Sequence, residues 1–178
     1  MKTLEIGAGL GEHIAYENLD NQEYSVLELR DNMADVLKKR FPSVTTYVGD
    51  IQTKTLFADQ TFDRILAIHV LEHLPDLPKA LQEINRILKE DGYFTVVIPC
   101  EGSLAYTIAR KISAERIFEK KFKMKYGWLI KTEHINFPDE IIQELNQFFI
   151  IKNRDFFPIP VPFTFCNLCI GLDLVKKG

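Results

Sequence analysis

The stretch that most constrains this chain is Lys2 to Glu12, KTLEIGAGLGE, where three glycines follow a short apolar run with a single residue between each pair. Leu4 and Ile6 read as the end of a buried strand, and Gly7, Gly9 and Gly11 as a turn whose backbone approaches something closely. The following residues, Glu12 to Leu19, are expected to continue as a helix. A strand, a glycine turn and a helix start form a cradle of free backbone N–H groups that suits a nucleotide-like ligand, although the same turn also serves tight packing.

The spacing narrows the ligand. Dinucleotide folds place a third glycine three positions after the second so that a helix N-terminus can face a pyrophosphate. That position is Glu12 here, and its carboxylate would repel the pyrophosphate. The pattern Glu5-x-Gly7-x-Gly9-x-Gly11 instead suits an adenosine ligand with no phosphate and a zwitterionic amino-acid tail. In this respect the chain resembles the class I S-adenosylmethionine-dependent methyltransferases.

Further apolar strands follow in order. Tyr24 to Leu29 ends in Glu28 and Leu29, where α/β nucleotide folds hydrogen-bond ribose hydroxyls. Asp31 can cap a helix running to Arg40, and Val44 to Val48 is a third strand followed by Gly49-Asp50-Ile51. Thr61 to Ile68 is a fourth strand, ending in His69-Val70-Leu71-Glu72-His73-Leu74-Pro75. Leu77 to Glu90 reads as an amphipathic helix stopped by Asp91-Gly92, and Tyr93 to Ile98 as a fifth, apolar strand. A helix opening at Pro138-Asp139-Glu140 and two strands, Phe148 to Phe156 and Cys169 to Lys176, close the chain.

Apolar strands alternating with helices imply a doubly wound α/β fold, a mostly parallel sheet with helices on both faces and ligands beyond the carboxyl ends of its strands. Gly7 to Gly11, Glu28, Asp50 and His69 all fall at such ends and can converge. The segment FDRILAIHVLEHLPDLPKALQEINRILKEDGYFTVVIP is similar to one shared by the small-molecule, quinone-biosynthesis branch of the methyltransferases. The resemblance covers roughly residues 2 to 99 and 134 to 177. It implies a Rossmann-like sheet of seven strands with an antiparallel last strand. It also implies S-adenosyl-L-methionine held by Glu5, Gly7, Gly9, Gly11, Glu28, Leu29, Asp50, Ile51 and His69, with Asp50 and the Ile51 N–H meeting the adenine. Family members usually carry helices before the first strand, whereas this chain starts in that strand, so it is either shortened there or works without that cap.

Methyl transfer needs an acceptor held in line and water excluded. An alcohol acceptor also needs a base, and imidazole titrates near neutrality. The candidates are His69 and His134, while His73 reads as structural. The expected reaction is methylation of a small-molecule acceptor, at oxygen, of a sugar, lipid-linked or quinone-like kind. Two alternatives stay open: a dinucleotide-fold oxidoreductase, and a non-catalytic cofactor-binding domain of a larger assembly.

Composition sets the remaining bounds. At 178 residues and 46% hydrophobic, the chain is expected to form one domain over 1–178, with residues 99–133 as a variable segment. The net charge of −3 argues against nucleic acid as a partner. Between Arg110 and Lys131, however, eight Lys or Arg stand against two Glu. That stretch reads as a solvated helix, a lid over an anionic acceptor spanning Ala105 to Lys131, or a surface touching anionic membrane. No signal peptide and no membrane span is apparent, which points to the cytoplasm. Cys100, Cys166 and Cys169 are expected to be reduced, and the CxxC of the last two to pack in a terminal strand rather than bind metal.

Overall fold

The computed structural model describes residues 1–103, 105–108 and 135–178. Its strands among the described residues are β1 (Lys2–Ile6), β2 (Glu23–Glu28), β3 (Thr45–Val48), β4 (Phe62–Ile68), β5 (Leu88–Pro99), β6 (Phe149–Phe157) and β7 (Cys169–Lys176). Its α-helices among the described residues are α1 (Asp31–Arg40), α2 (Leu77–Ile87) and α3 (Pro138–Phe148). The seven strands form one sheet in the order β3-β2-β1-β4-β5-β7-β6. Strands β1 to β5 pair in parallel, and β7 runs antiparallel between β5 and β6.

Strand alternation divides the core between the two faces of the sheet. Leu4, Ile6, Ile65, Ala67, Phe94 and Val96 point to the side covered by Leu81 and Ile84 of α2 and Ile141 and Leu145 of α3. Val26 and Leu66 point the other way, where they meet Leu37 of α1 and Ile14. Helices thus cover both faces of a doubly wound sheet.

Three local expectations are corrected. Glu12 to Leu19 is not an α-helix: two 3-10 turns, Ile14–Tyr16 and Leu19–Asn21, stand in its place. The segment has a single buried apolar anchor, Ile14, and no apolar partner three or four positions on. Its polar groups are engaged locally, with Glu17 pairing Arg64 of β4 at 2.9 Å and the Asn18 side chain accepting from the Asp20 N–H. Secondly, α2 ends at Ile87 and β5 begins at Leu88, before Asp91-Gly92. The pairing register jumps from Phe62–Leu88 to Arg64–Tyr93, so Lys89 to Gly92 forms an irregularity inside the strand. Asp31, lastly, is the first residue of α1 rather than its cap.

Candidate functional site

With β1 lying between β2 and β4, the chain leaves four neighbouring strands at one edge of the sheet. There Gly7, Glu28 to Arg30, Gly49 to Gln52 and His69 to Pro75, apart from Leu71 and Glu72, line a cavity of about 560 Å³, together with Ile6, Leu27 and Ile135. Of the residues expected at the cofactor, Gly7, Glu28, Leu29, Asp50, Ile51 and His69 are on its wall.

The glycine turn takes the conformation its sequence demands, with φ of +65° at Gly7, +58° at Gly9 and +80° at Gly11. A Cβ on Gly7 would stand 2.8 Å from Val70 Cγ2, and one on Gly11 2.4 Å from Phe41 Cε2, so both glycines are packed against side chains. Among the described residues, a Cβ on Gly9 would have no neighbour nearer than Glu12 Oε2 at 3.9 Å. Gly9 and Gly11 do not themselves line the cavity. The N–H groups of Ala8 and Leu10 meet no hydrogen-bond acceptor among the described residues.

Glu28 is buried at the tip of β2, where its carboxylate accepts from the N–H groups of Gly9 and Arg30, each at 3.1 Å. This joins the glycine turn to the second strand and leaves about two of the four acceptor positions of the carboxylate for a ligand. Asp50 is folded on its own loop, its Oδ1 accepting from the Gln52 N–H at 2.9 Å, while the Gln52 side chain accepts from the Asp76 N–H at 2.8 Å. The Ile51 N–H meets no acceptor among the described residues. Free N–H groups on the glycine turn, a half-used carboxylate on β2 and a donor–acceptor pair after β3 fit the polar parts of S-adenosylmethionine.

Glu5 is placed elsewhere. It is buried on the α1 side of β1, accepts from the Tyr24 hydroxyl at 2.7 Å and stands 3.7 Å from His13 Nδ1. It is not part of the cavity wall. Burial, together with the Glu5 carboxylate, pushes the Tyr24 hydroxyl far above its ordinary pKa, so it stays a proton donor to Glu5.

His69 opens the loop after β4 at φ +55°, a conformation unusual for a residue with a Cβ, and its side chain is half exposed. His73, expected to be structural, also lines the cavity. Between the two stands the buried Glu72. His134 and the basic stretch from 109 to 134 lie outside the described residues. Arg30, Gln52 and Ile135 are lining residues that the sequence did not mark. Gln52 was findable two positions after Asp50, but no pattern singles it out. Cys166 lies in a 3-10 turn ahead of β7, not in the strand, and no disulfide joins the three cysteines. No helix among the described residues is long and apolar enough to cross a membrane.

Residues 4–96 match a family described as a methyltransferase domain. An uncharacterised protein of Methanocaldococcus jannaschii is 36% identical over 68% of this chain, which spans 50% of that protein's length. A demethylmenaquinone methyltransferase of Chlamydia caviae is 30% identical over 86% of this chain and is itself covered over 73%. In three dimensions, a TehB-like S-adenosylmethionine-dependent methyltransferase of Corynebacterium glutamicum superposes with a TM-score of 0.71 at 18% identity, over 99% of this chain and 80% of that one. The family match takes in more than half of the 178 residues, including most of the first five strands and every lining residue of the cavity except Ile135, and the chain belongs to the class I S-adenosylmethionine-dependent methyltransferases.

Proposed function

We propose that this domain transfers a methyl group from S-adenosylmethionine to an oxygen of a small-molecule acceptor of quinone-like, lipid-linked or sugar type. The observation that carries the reading is the convergence of Gly7, Glu28, Asp50, Ile51 and His69, scattered in sequence, on one cavity at the carboxyl ends of β1 to β4. The name of the Chlamydia relative supports a quinone-like acceptor. The loop after β4 reads His69-Val70-Leu71-Glu72 where an amide-methylating enzyme would carry an Asn-Pro-Pro-Tyr-like motif, which weighs against an amide nitrogen, and a histidine on the cavity wall suits an acceptor hydroxyl.

The cofactor supplies an electrophilic methyl group on a sulfonium sulfur. This chain's own residues bind and orient. Glu28 would accept from ribose hydroxyls, Asp50 and the Ile51 N–H would hold the adenine edge, and the Ala8 and Leu10 N–H groups would be available to the carboxylate of the amino-acid tail. Holding two reactants in line in this way lowers the barrier by up to ~7 to 11 kcal/mol in the best cases. His69, on the same wall, takes the proton of an acceptor hydroxyl.

Calorimetry with S-adenosylhomocysteine tests the cofactor assignment. The wild-type protein binds, while Gly9→Arg and Asp50→Ala lose affinity with circular dichroism unchanged. Unchanged affinity in both variants would falsify it. Thermal stabilisation by NAD and not by S-adenosylhomocysteine would move the chain to the oxidoreductases. Methyl-label transfer across an acceptor panel, with the product located by mass fragmentation, tests the reaction: a methyl found on carbon or nitrogen refutes the oxygen assignment, and binding without any turnover makes the domain a cofactor binder.

A further inference from the structure

We propose that Glu72 is a positioning residue for the cavity histidines, fixing the proton of His69 on Nδ1 and thereby presenting Nε2 bare to the acceptor. The inference rests on the reading of His69 as the base and adds the group that sets its chemistry.

Glu72 does not line the cavity, although His69 and His73 on either side of it do. Its side chain is 2% exposed, with Oε1 3.4 Å from His69 Nδ1 and 3.9 Å from His73 Nε2. Its Oε2 is buried with no hydrogen-bond partner among the described residues. A carboxyl oxygen left in that condition is destabilising, and an apolar side chain of similar volume would pack there at less cost. The carboxylate therefore needs a reason, and the two imidazoles within reach of its other oxygen supply one.

The backbone around Glu72 is held as firmly as its side chain. Its carbonyl accepts from the N–H groups of Ile135 at 2.8 Å and Asn136 at 3.2 Å. The Asn136 side chain in turn donates to the carbonyls of Leu71 and Leu74, each at 2.8 Å. The turn that carries Glu72 is thus clamped from outside, and His69, in a left-handed backbone conformation, has its Nδ1 3.4 Å from the carboxylate.

A neutral imidazole carries one proton on one of two nitrogens, and the partner of one nitrogen decides the state of the other. A carboxylate facing Nδ1 holds the proton there and leaves the lone pair of Nε2 free. When an acceptor hydroxyl gives its proton to Nε2, the O–H bonding pair stays on oxygen, and the imidazolium that forms lies beside the negative charge of Glu72. His73, on the far side of Glu72, is drawn toward the same oxygen at the longer distance.

Long-range proton–nitrogen correlation spectra of the nitrogen-15-labelled protein, taken at about pH 8.5 where imidazole is neutral, read the tautomer directly. His69→Gln identifies the His69 signals. In the wild type the Nδ1–H form predominates at His69. In Glu72→Leu, and in the more adaptable Glu72→Met if the first does not fold, the ring reverts to the Nε2–H form that free imidazole side chains prefer in water. A wild-type His69 in the Nε2–H form, or a tautomer unchanged in a folded variant, overturns the proposal. S-adenosylhomocysteine calorimetry on the same wild-type sample keeps the two readings apart, because lost cofactor binding would sink the cofactor assignment while the tautomer still decides the role of Glu72.

Discussion

Gly9→Ala and Gly11→Ala each add one methyl group, at positions two apart in the same turn, yet the structure assigns them different consequences. Both have positive φ, +58° and +80°, so an added Cβ costs ~1 to 2 kcal/mol of backbone strain in each. At Gly9 the new methyl meets nothing among the described residues nearer than Glu12 Oε2 at 3.9 Å, and restriction of the unfolded chain returns ~0.4 to 1 kcal/mol. The net loss is about 1 kcal/mol, or roughly 2 to 4 °C in Tm for a domain of this size. At Gly11 the methyl stands 2.4 Å from Phe41 Cε2 and 2.9 Å from Leu37 Cδ2, inside the packing between the turn and α1. Overpacking adds ~1 to 3 kcal/mol, and with the same return from the unfolded chain the net loss is ~1 to 4.6 kcal/mol, a Tm lower by roughly 2 to 18 °C. Urea unfolding with the slope held constant measures both losses, and S-adenosylhomocysteine calorimetry on the folded variants measures the ligand side. Gly9→Ala should stay folded and lose affinity by ~tenfold or more, since its methyl enters space that the described residues leave open. Equal destabilisation by the two variants would refute the packing argument, and wild-type affinity in Gly9→Ala would refute the reading of that space as a place for ligand.

Two pH dependences follow from charged groups away from the cavity. Glu83 of α2 is buried, which opposes ionisation, but Arg86 and the Thr55 N–H and hydroxyl outweigh this and hold its carboxyl down to about 2. Its stabilisation is complete above the ordinary carboxylate range and is lost as the pH falls toward that value, so Glu83→Gln should remove a stability loss that the wild type shows between about pH 5 and 2 in urea titrations. His13 is shifted the other way: the Glu5 carboxylate raises its pKa against the effect of burial. Its contribution is fully present below its unfolded pKa and disappears as the pH rises through the folded one, so wild type should lose stability from about pH 6.5 upward while His13→Gln does not, and parallel curves for the two proteins would disprove the assignment.

The sheet was readable because its strands are short apolar runs set off by turn residues, and the burial of Leu4, Ile6, Ile65, Ala67, Phe94 and Val96 follows from alternation alone. The cavity was readable where a residue occupies a strand tip, as Glu28 and Asp50 do. What misled was local propensity. Glu12 to Leu19 has helix-forming residues, but with Ile14 as its single buried anchor there was no stripe to hold a helix on the sheet. Glu5 is absent from the cavity wall because alternation along β1 points it to the α1 face, and a motif read as a string does not record which face a side chain takes. Arg30, Gln52, His73 and Ile135 reach the wall through loop conformation and through a segment more than sixty residues after β4, neither of which carries a local signature.

The position of β7 sets an order of events for synthesis. This last strand occupies the sheet interior, joining Tyr93 to Val175 and Pro99 to Cys169 on one side and pairing with β6 on the other. As the protein leaves the ribosome, β1 to β5 can assemble, but the outer edge of β5 stays open until residues near 176 have emerged, and β6 has no neighbour to pair with in the meantime. A chain stopped before Cys169 would present two bare strand edges, each able to recruit a strand from another nascent copy. The final eight residues of the sheet therefore act as a seal, and stalled or prematurely ended products should be found in aggregates and not as soluble partial domains.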